Sequence, residues 1–440
     1  MLWEKTKLLW KNGLKSSGRM WKIMLFCCFV LCLYGCENSS KEKSNIQEKA
    51  RKETEGRSSK ESANSEEDQA ELIEKGYDLP VEEQERKEAE EDCKKGMELI
   101  SDIYKQADKG EVSNVVLSDK VIEKMQKKLK ETNCPVASMV AYSNMENYEK
   151  MDKFLKVCKK KTAGEMVVYE ICSDGGIERM KYCFDGEDLY VLNAKAVWNE
   201  KNKAEFTWIS YTRIKEWNYT KKGWFGYELC VPEPPEVSEI VDGSFLLRIK
   251  PMNKENREYS EKCVQKIGYQ GNNLLCSDWN QNQLDGLDYN GLYEYLYQQK
   301  YKARLEADDY PDGIPRDEFE GLIMEYLPVT SGQLQKYAVF DEEKQTYANE
   351  QLGCFNYAPS FFGTSVPEVV AIKETKDGTV TLTVDAVCDM VLCEDALITH
   401  ELTVRFVEDG TFQYLGNKIV GGEIANIPNY QYRFEKEETQ

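Results

Sequence analysis

The alternation of apolar and polar positions divides the chain into two stretches of helices followed by strands. From Pro80 the pattern is helical: Pro80 with Glu82, Glu83 and Glu85 suits a helix N-terminus, and Ala89, Cys93, Met97, Ile100, Tyr104 and Ala107 recur at steps of three and four. Ser118 is the expected N-cap of a second helix running to about Glu131, and residues 144–159 read as a third. Strands follow. With Gly175-Gly176 as a two-residue turn, Ile171 faces Met180, Tyr169 faces Tyr182, Val167 faces Phe184, and Glu170 meets Lys181 on the other face. Further strands fit 188–193, 205–213 and 214–228. The run Val231-Pro-Glu-Pro-Pro-Glu236 cannot lie in a central strand and marks the expected domain boundary.

The second stretch repeats the order, with helices expected at 258–267, 291–305, 316–326 and 331–337. The last sheet has the clearest pattern. Lys376-Asp-Gly378 and Glu408-Asp-Gly410 read as three-residue hairpin loops ending in glycine. Across them Ile372 faces Leu382, Val370 faces Val384, Phe406 faces Phe412 and Val404 faces Tyr414, which puts His400 near Lys418. The fold class expected is α+β: two domains, each of helices followed by an antiparallel meander with one face on the helices and the other toward solvent. The plan resembles cystatin-like and cone-shaped α+β domains, a likeness of fold alone.

Before Pro80 the pattern changes character. Basic residues from Lys5 to Lys22, an apolar run from Ile23 to Tyr34 and then Gly35-Cys36 have the layout of an export signal. A run this short falls below the roughly 20 apolar residues of a spanning helix. Leu33-Tyr-Gly-Cys36 resembles the lipobox of bacterial lipoproteins, which implies acylation of Cys36; Tyr34 departs from the small residue usual there. Met20 could also start a compact signal. The expected organisation is a signal peptide at 1–35, a disordered polar tether at 36–79, an N-terminal domain at 80–230, a Pro-rich linker at 231–240, a C-terminal domain at 241–430 and a tail at 431–440. The chain is expected on the extracytoplasmic face of the cell membrane, held by a lipid such as palmitate.

Composition narrows the chemistry. With 58 Lys+Arg against 78 Asp+Glu the net charge is −20, which disfavours a nucleic-acid partner. One histidine, His400, rules out a His-Glu-x-x-His zinc site, and between Ile398 and Leu402 it reads as a hydrogen-bonded packing residue. No Gly-x-Ser-x-Gly, Gly-x-Gly-x-x-Gly or phosphate-loop pattern occurs, so no cofactor and no catalytic residue are assigned. After Cys36 eleven cysteines remain, without a Cys-x-x-Cys, and most read as small core residues; Cys172 and Cys183 are not expected to pair. The Asp278–Asn282 loop lacks the glycine and terminal glutamate of a calcium loop. Tyr293, Tyr297 and Tyr301 form one helical stripe, read as packing before sugar stacking.

Residues 205–420 resemble an uncharacterised family of Gram-positive cell-surface lipoproteins. The strings that carry it are Tyr211-Thr-Arg-Ile-Lys-Glu-Trp-Asn-Tyr-Thr220, Cys230-Val-Pro-Glu-Pro-Pro-Glu236, Tyr310-Pro-Asp-Gly-Ile-Pro315 and Gly353-Cys-Phe-Asn-Tyr-Ala-Pro359. The resemblance implies an exported location and no mechanism. The expected function is a non-enzymatic binding or interaction module for an unknown protein or cell-wall ligand. The alternative is a cell-wall polysaccharide hydrolase with paired carboxylates.

Overall fold

The computed structural model describes residues 72–434 apart from 111–113, 307–308, 354–359, 376, 389, 391–394 and 408–409. Helices α1 (Glu83–Gln106) and α2 (Asp119–Leu129) lead into the short strand β1 (Val136–Ser138) and helix α3 (Tyr148–Cys158). Strands β2 (Gly164–Ile171), β3 (Ile177–Phe184), β4 (Leu189–Trp198), β5 (Ala204–Tyr219), β6 (Trp224–Leu229) and β7 (Ser244–Arg248) complete a seven-stranded sheet in chain order. Only its β1–β2 pair is parallel. Both faces of this sheet are covered. The stripe Ala89, Cys93, Met97, Ile100 and Tyr104 of α1 is buried with Tyr169, Ile171, Ile177, Leu192, Ala194 and Ala196. Each fully buried large apolar side chain contributes about 1.5–3 kcal/mol. On the other face Met151, Phe154, Leu155 and Cys158 of α3 pack with Val168, Met180 and Tyr182.

That second face is concave. Tyr182 on β3 and Tyr227 on β6 lie three strands apart, about 14 Å in a flat sheet. Their hydroxyls nevertheless meet at 3.2 Å and their ring centroids at 6.0 Å. The sheet must curl to bring them together, and bulges at Lys195/Ala196 and Ile214/Glu216 supply bends along β5.

The first hairpin has a different register from the one expected. Cys172 N–H donates to Gly176 O and Gly175 N–H to Cys172 O, so Ser173-Asp174-Gly175 is a three-residue loop with Gly175 at φ 78°. Asp174 Oδ1 accepts from Gly176 N–H at 2.8 Å and fixes the turn. Pairing moves by three residues: Tyr169 faces Arg179, Val167 faces Lys181, Val168 faces Met180, and Glu170 faces Glu178 instead of Lys181. Arg179 and Lys181 turn toward α1, where Arg179 meets Glu88 and Asp92 and Lys181 meets Glu85. Cys183 faces Glu165, so it stays unpaired with Cys172, for a register other than the expected one.

The segment expected as a linker, 231–240, lies between two strands of the first sheet. The strand after the prolines, β7, pairs with β6, so the segment joins two neighbours of one sheet. The described parts of 76–230 and 243–440 form one compact unit; 231–242 and the described part of 1–75 form another, where Lys75 meets Glu236 at 3.3 Å. Part of the expected tether is ordered: Leu79 N–H donates to Tyr211 O and Arg213 N–H to Gly76 O. Residues 188–193 are the start of β4, and the strands expected at 205–213 and 214–228 are a continuous β5 followed by β6.

Beyond β7, helix α4 (Lys254–Tyr259) runs into a π turn at Ser260–Val264, ahead of the span expected at 258–267. Strand β8 (Trp279–Asn280) and helix α5 (Tyr289–Tyr301) follow, the latter starting two residues early because the Asp288 side chain caps Gly291 N–H. Strand β9 (Ile314–Pro315), helices α6 (Arg316–Tyr326) and α7 (Ser331–Tyr337), and strands β10 (Phe340–Asp341) and β11 (Thr346–Tyr347) complete this layer, with β10-β11-β9 as a small sheet. Helix α7 opens with a capping box between Thr330 and Gln333.

The last sheet has β12 (Val366–Glu374), β13 (Thr379–Val387), β14 (Ile398–Phe406) and β15 (Phe412–Ile419), with β8 beside β15. Ile372–Leu382, Phe406–Phe412 and Val404–Tyr414 pair as expected. Val384 faces Val369, not Val370, and His400 faces Ile419, not Lys418, because bulges shift each ladder by one residue. Arg433 anchors the start of the expected tail, with Glu294 at 2.7 Å and Glu350 O at 2.9 Å.

Candidate functional site

Cross-strand pairing places carboxylates directly opposite each other three times among the described residues, one of them the surface pair Glu216–Glu228, where Lys215 meets Glu228 at 3.0 Å. Another is Glu170 on β2 and Glu178 on β3, on the concave face. Lys195 on β4 faces Glu178 and Trp208 on β5 faces Lys195, so the four make a row across the sheet. Opposed side chains stand roughly 5 Å apart at Cβ, and like charges there repel. Lys195 Nζ donates to Glu178 Oε1 at 3.0 Å and steadies one carboxylate. Burial, then the Glu178 charge, push the Glu170 carboxyl up to about 7, while Lys195 pulls it down. Glu170 still reaches solvent, and Glu178 and Lys195 keep 26% and 33% of their side chains exposed. These are the marks of a recess rather than of a closed core.

One residue pair deeper on the same face lies Asn193, opposite Met180 and Ser210. It is only 8% exposed, and its Oδ1 has no hydrogen-bond partner. Such an acceptor costs roughly 1–3 kcal/mol unless something satisfies it. Beyond it the Tyr182 and Tyr227 hydroxyls bond each other. At the rim Trp208 is 48% exposed. A carboxyl raised by burial and by a like charge, reaching solvent near an orphaned acceptor, marks a candidate site.

The third pair, Glu368 on β12 and Asp385 on β13, differs in every respect that matters to chemistry. Both are sealed, at 3% and 0% exposure. Glu368 is met by Arg248 at 2.8 Å and by the Trp224 indole N–H at 2.6 Å. Asp385 is met by Lys222 and by the Thr399 hydroxyl. Two carboxylates with two cations balance, and no surface is left for a ligand. This quartet joins β6 and β7 to the last sheet.

A third place, an open hollow of about 540 Å³, lies on the α1 face between Glu165, Cys183, Phe184, Asp185, Tyr190 and Tyr211. Its carboxylates are engaged: Glu165 with Lys181 at 3.3 Å, and Asp185 with the backbone N–H groups of Glu187 and Asp188.

The residues singled out in the sequence do structural work. Asn417 Nδ2 donates to Leu275 O and Ser277 O, which leaves its Oδ1 to accept from His400 Nδ1–H at 2.6 Å. His400 Nε2 then accepts from the Tyr269 hydroxyl at 2.9 Å. Burial lowers the His400 pKa to about 4, so the ring is a neutral packing residue. Cys93, Cys134, Cys158, Cys172, Cys183, Cys230, Cys263 and Cys276 are free thiols, and burial pushes Cys93, Cys263 and Cys276 up to about 12. Asp278 accepts from Ile419 N–H. Tyr293 stacks on Phe319 in the core, while Tyr301 is exposed. No group of three or more His, Cys, Asp or Glu among the described residues is placed to hold a metal ion. Cys36, Cys354 and Cys393 lie outside the described residues.

The carboxylate pair escapes sequence reasoning because it depends on the hairpin register. The available signal was Asp174-Gly175, the same dipeptide that closes the loops at Gly378 and Gly410. No curated protein and no solved structure matches the chain. Residues 86–433 match the family described as "Family of unknown function (DUF6070)", so the shared region begins well before residue 205 and includes the concave sheet. The chain belongs to that family.

Proposed function

We propose that the chain is a binding module on the extracytoplasmic face of the cell membrane, anchored through an acylated Cys36 and taking its ligand in the recess of the concave sheet. The observation that carries the ligand site is the orphaned Asn193 Oδ1 near an incompletely paired carboxylate that reaches solvent. The anchor rests on the apolar run ending at Gly35-Cys36; no described helix is long and apolar enough to cross a membrane. Acyl chains contribute about 0.8 kcal/mol per buried CH₂, and two give stable anchoring. The ligand is a soluble or wall-borne molecule rather than a nucleic acid, given the net charge of −20.

The test is metabolic labelling of cells making the full chain with an alkynyl palmitate, followed by fractionation. Label and membrane residence, both lost in Cys36→Ala, are expected. An unlabelled chain in the cytosol would overturn the anchored reading. The hydrolase reading is favoured by one observation, the cross-strand pair with Glu170 raised to about 7, as a general acid requires. Release of soluble sugars from purified wall glycan by the full chain, abolished in Glu170→Gln, would establish it; no release leaves binding as the role.

A further inference from the structure

We infer that the recess formed by Glu170, Glu178 and Asn193 receives a primary ammonium group of the ligand, an assignment that rests on the binding reading above. The argument is one of complementarity. Three acceptors there keep unused lone pairs, and Lys195, which donates to Glu178, is the one cation in the row. Glu170 makes no side-chain hydrogen bond among the described residues, and the Asn193 amide oxygen, in a residue 8% exposed, makes none either. Glu178 spends one oxygen on Lys195 and keeps the other. Deeper in the sheet the Tyr227 hydroxyl donates to that of Tyr182, which donates to Met180 Sδ at 3.4 Å, so neither offers a free donor.

A ligand carboxylate or phosphate would set its negative charge against two carboxylates with one lysine between them. An ammonium brings three donors and one positive charge, which matches three acceptors in number and the carboxylate pair in sign. Spacing agrees. The glutamates stand roughly 5 Å apart at Cβ, and Asn193 is the diagonal neighbour of Glu178, roughly 7–8 Å away on the strand opposite Glu170. A nitrogen held by Glu178 lies between Glu170 on one neighbouring strand and Asn193 on the other. Trp208 at the rim offers an exposed ring against which the ligand's carbon stem can lie.

The charged groups facing Glu170 are Glu178 from β3 and Lys195 from β4; Ala137 from β1 and Trp208 from β5 carry no charge. An entering ammonium therefore displaces the Glu170 proton to solvent, while the ammonium itself stays charged below about pH 10. Binding at pH 8 is then roughly tenfold tighter than at pH 6, where most Glu170 is protonated.

Calorimetric titration of the full chain with 1,5-diaminopentane and with 1,5-pentanediol tests this at both pH values. The diamine is expected to bind with proton release and the diol not to bind. Glu170→Gln and Asn193→Leu are each expected to weaken the diamine at least tenfold; thermal unfolding verifies that both fold. Equal binding of diol and diamine, lost together in the variants, would overturn the ammonium assignment and leave the recess as the binding site. Diamine binding untouched by either variant would overturn the recess itself, and no binding of the diamine would overturn the ammonium assignment.

Discussion

At the scale of single residues, burial decides which ionisable groups are chemistry and which are scaffold. His400 is held neutral by its two hydrogen bonds and lack of water. Its folded pKa of about 4 lies below the usual 6.5, so the unfolded chain binds the proton first as pH falls. Its contribution is present above pH 6.5 and lost as pH falls toward 4. Urea midpoints measured from pH 7 to 4 should decline in that window, and His400→Gln should flatten the decline. Glu170 behaves in the opposite sense. Its folded pKa near 7 exceeds the unfolded 4.5, so its favourable contribution is complete below 4.5 and lost as pH rises through 7. Glu170→Gln should therefore match the parent in acid and unfold at a higher temperature at pH 8. Equal midpoints there would refute the desolvated carboxyl. Glu368→Ala strands Arg248 as a buried unpaired charge, and should cost about 3 kcal/mol in denaturant unfolding.

At the scale of elements, three-residue hairpin loops set the registers. Gly175 sits at φ 78°, and a Cβ there would stand 2.7 Å from Leu117 Cδ1 and 3.0 Å from Tyr104 Cδ2. Gly175→Ala combines left-handed strain with a clash against two core side chains, and should cost more than about 1 kcal/mol. Because this loop aligns Glu170 with Glu178, the same variant should also weaken diamine binding. An unchanged unfolding midpoint and affinity would show the turn to be dispensable. The bulges play the complementary part: one extra residue in β12 and one in β15 move Val384 opposite Val369 and His400 opposite Ile419. The second of these brings Asn417 within reach of the imidazole.

At the scale of the molecule, the first sheet ends with β7, on the far side of the prolines, and β7 carries Arg248 into the last sheet through Glu368. A fragment spanning 76–230 lacks that edge strand and the quartet around Asp385. It should fail to give a cooperative unfolding transition, whereas the intact chain should melt its two sheets together in calorimetry. Two separate transitions for the intact chain would show that the joint does not couple the sheets.

The sequence by itself determined the elements: the α1 stripe, the limits of α6 and α7, two hairpins of the last sheet and the packing role of His400 follow from local periodicity and turn chemistry, which act between residues close in the chain. Tertiary structure decided the rest. The prolines lie in a loop because β7 returns to pair with β6, a contact no local pattern encodes. The recess exists because a shift of three residues sets Glu170 against Glu178 and because the sheet curls enough for Tyr182 to meet Tyr227. Register and curvature are settled by what packs on each face, and side chains distant in sequence supply that packing.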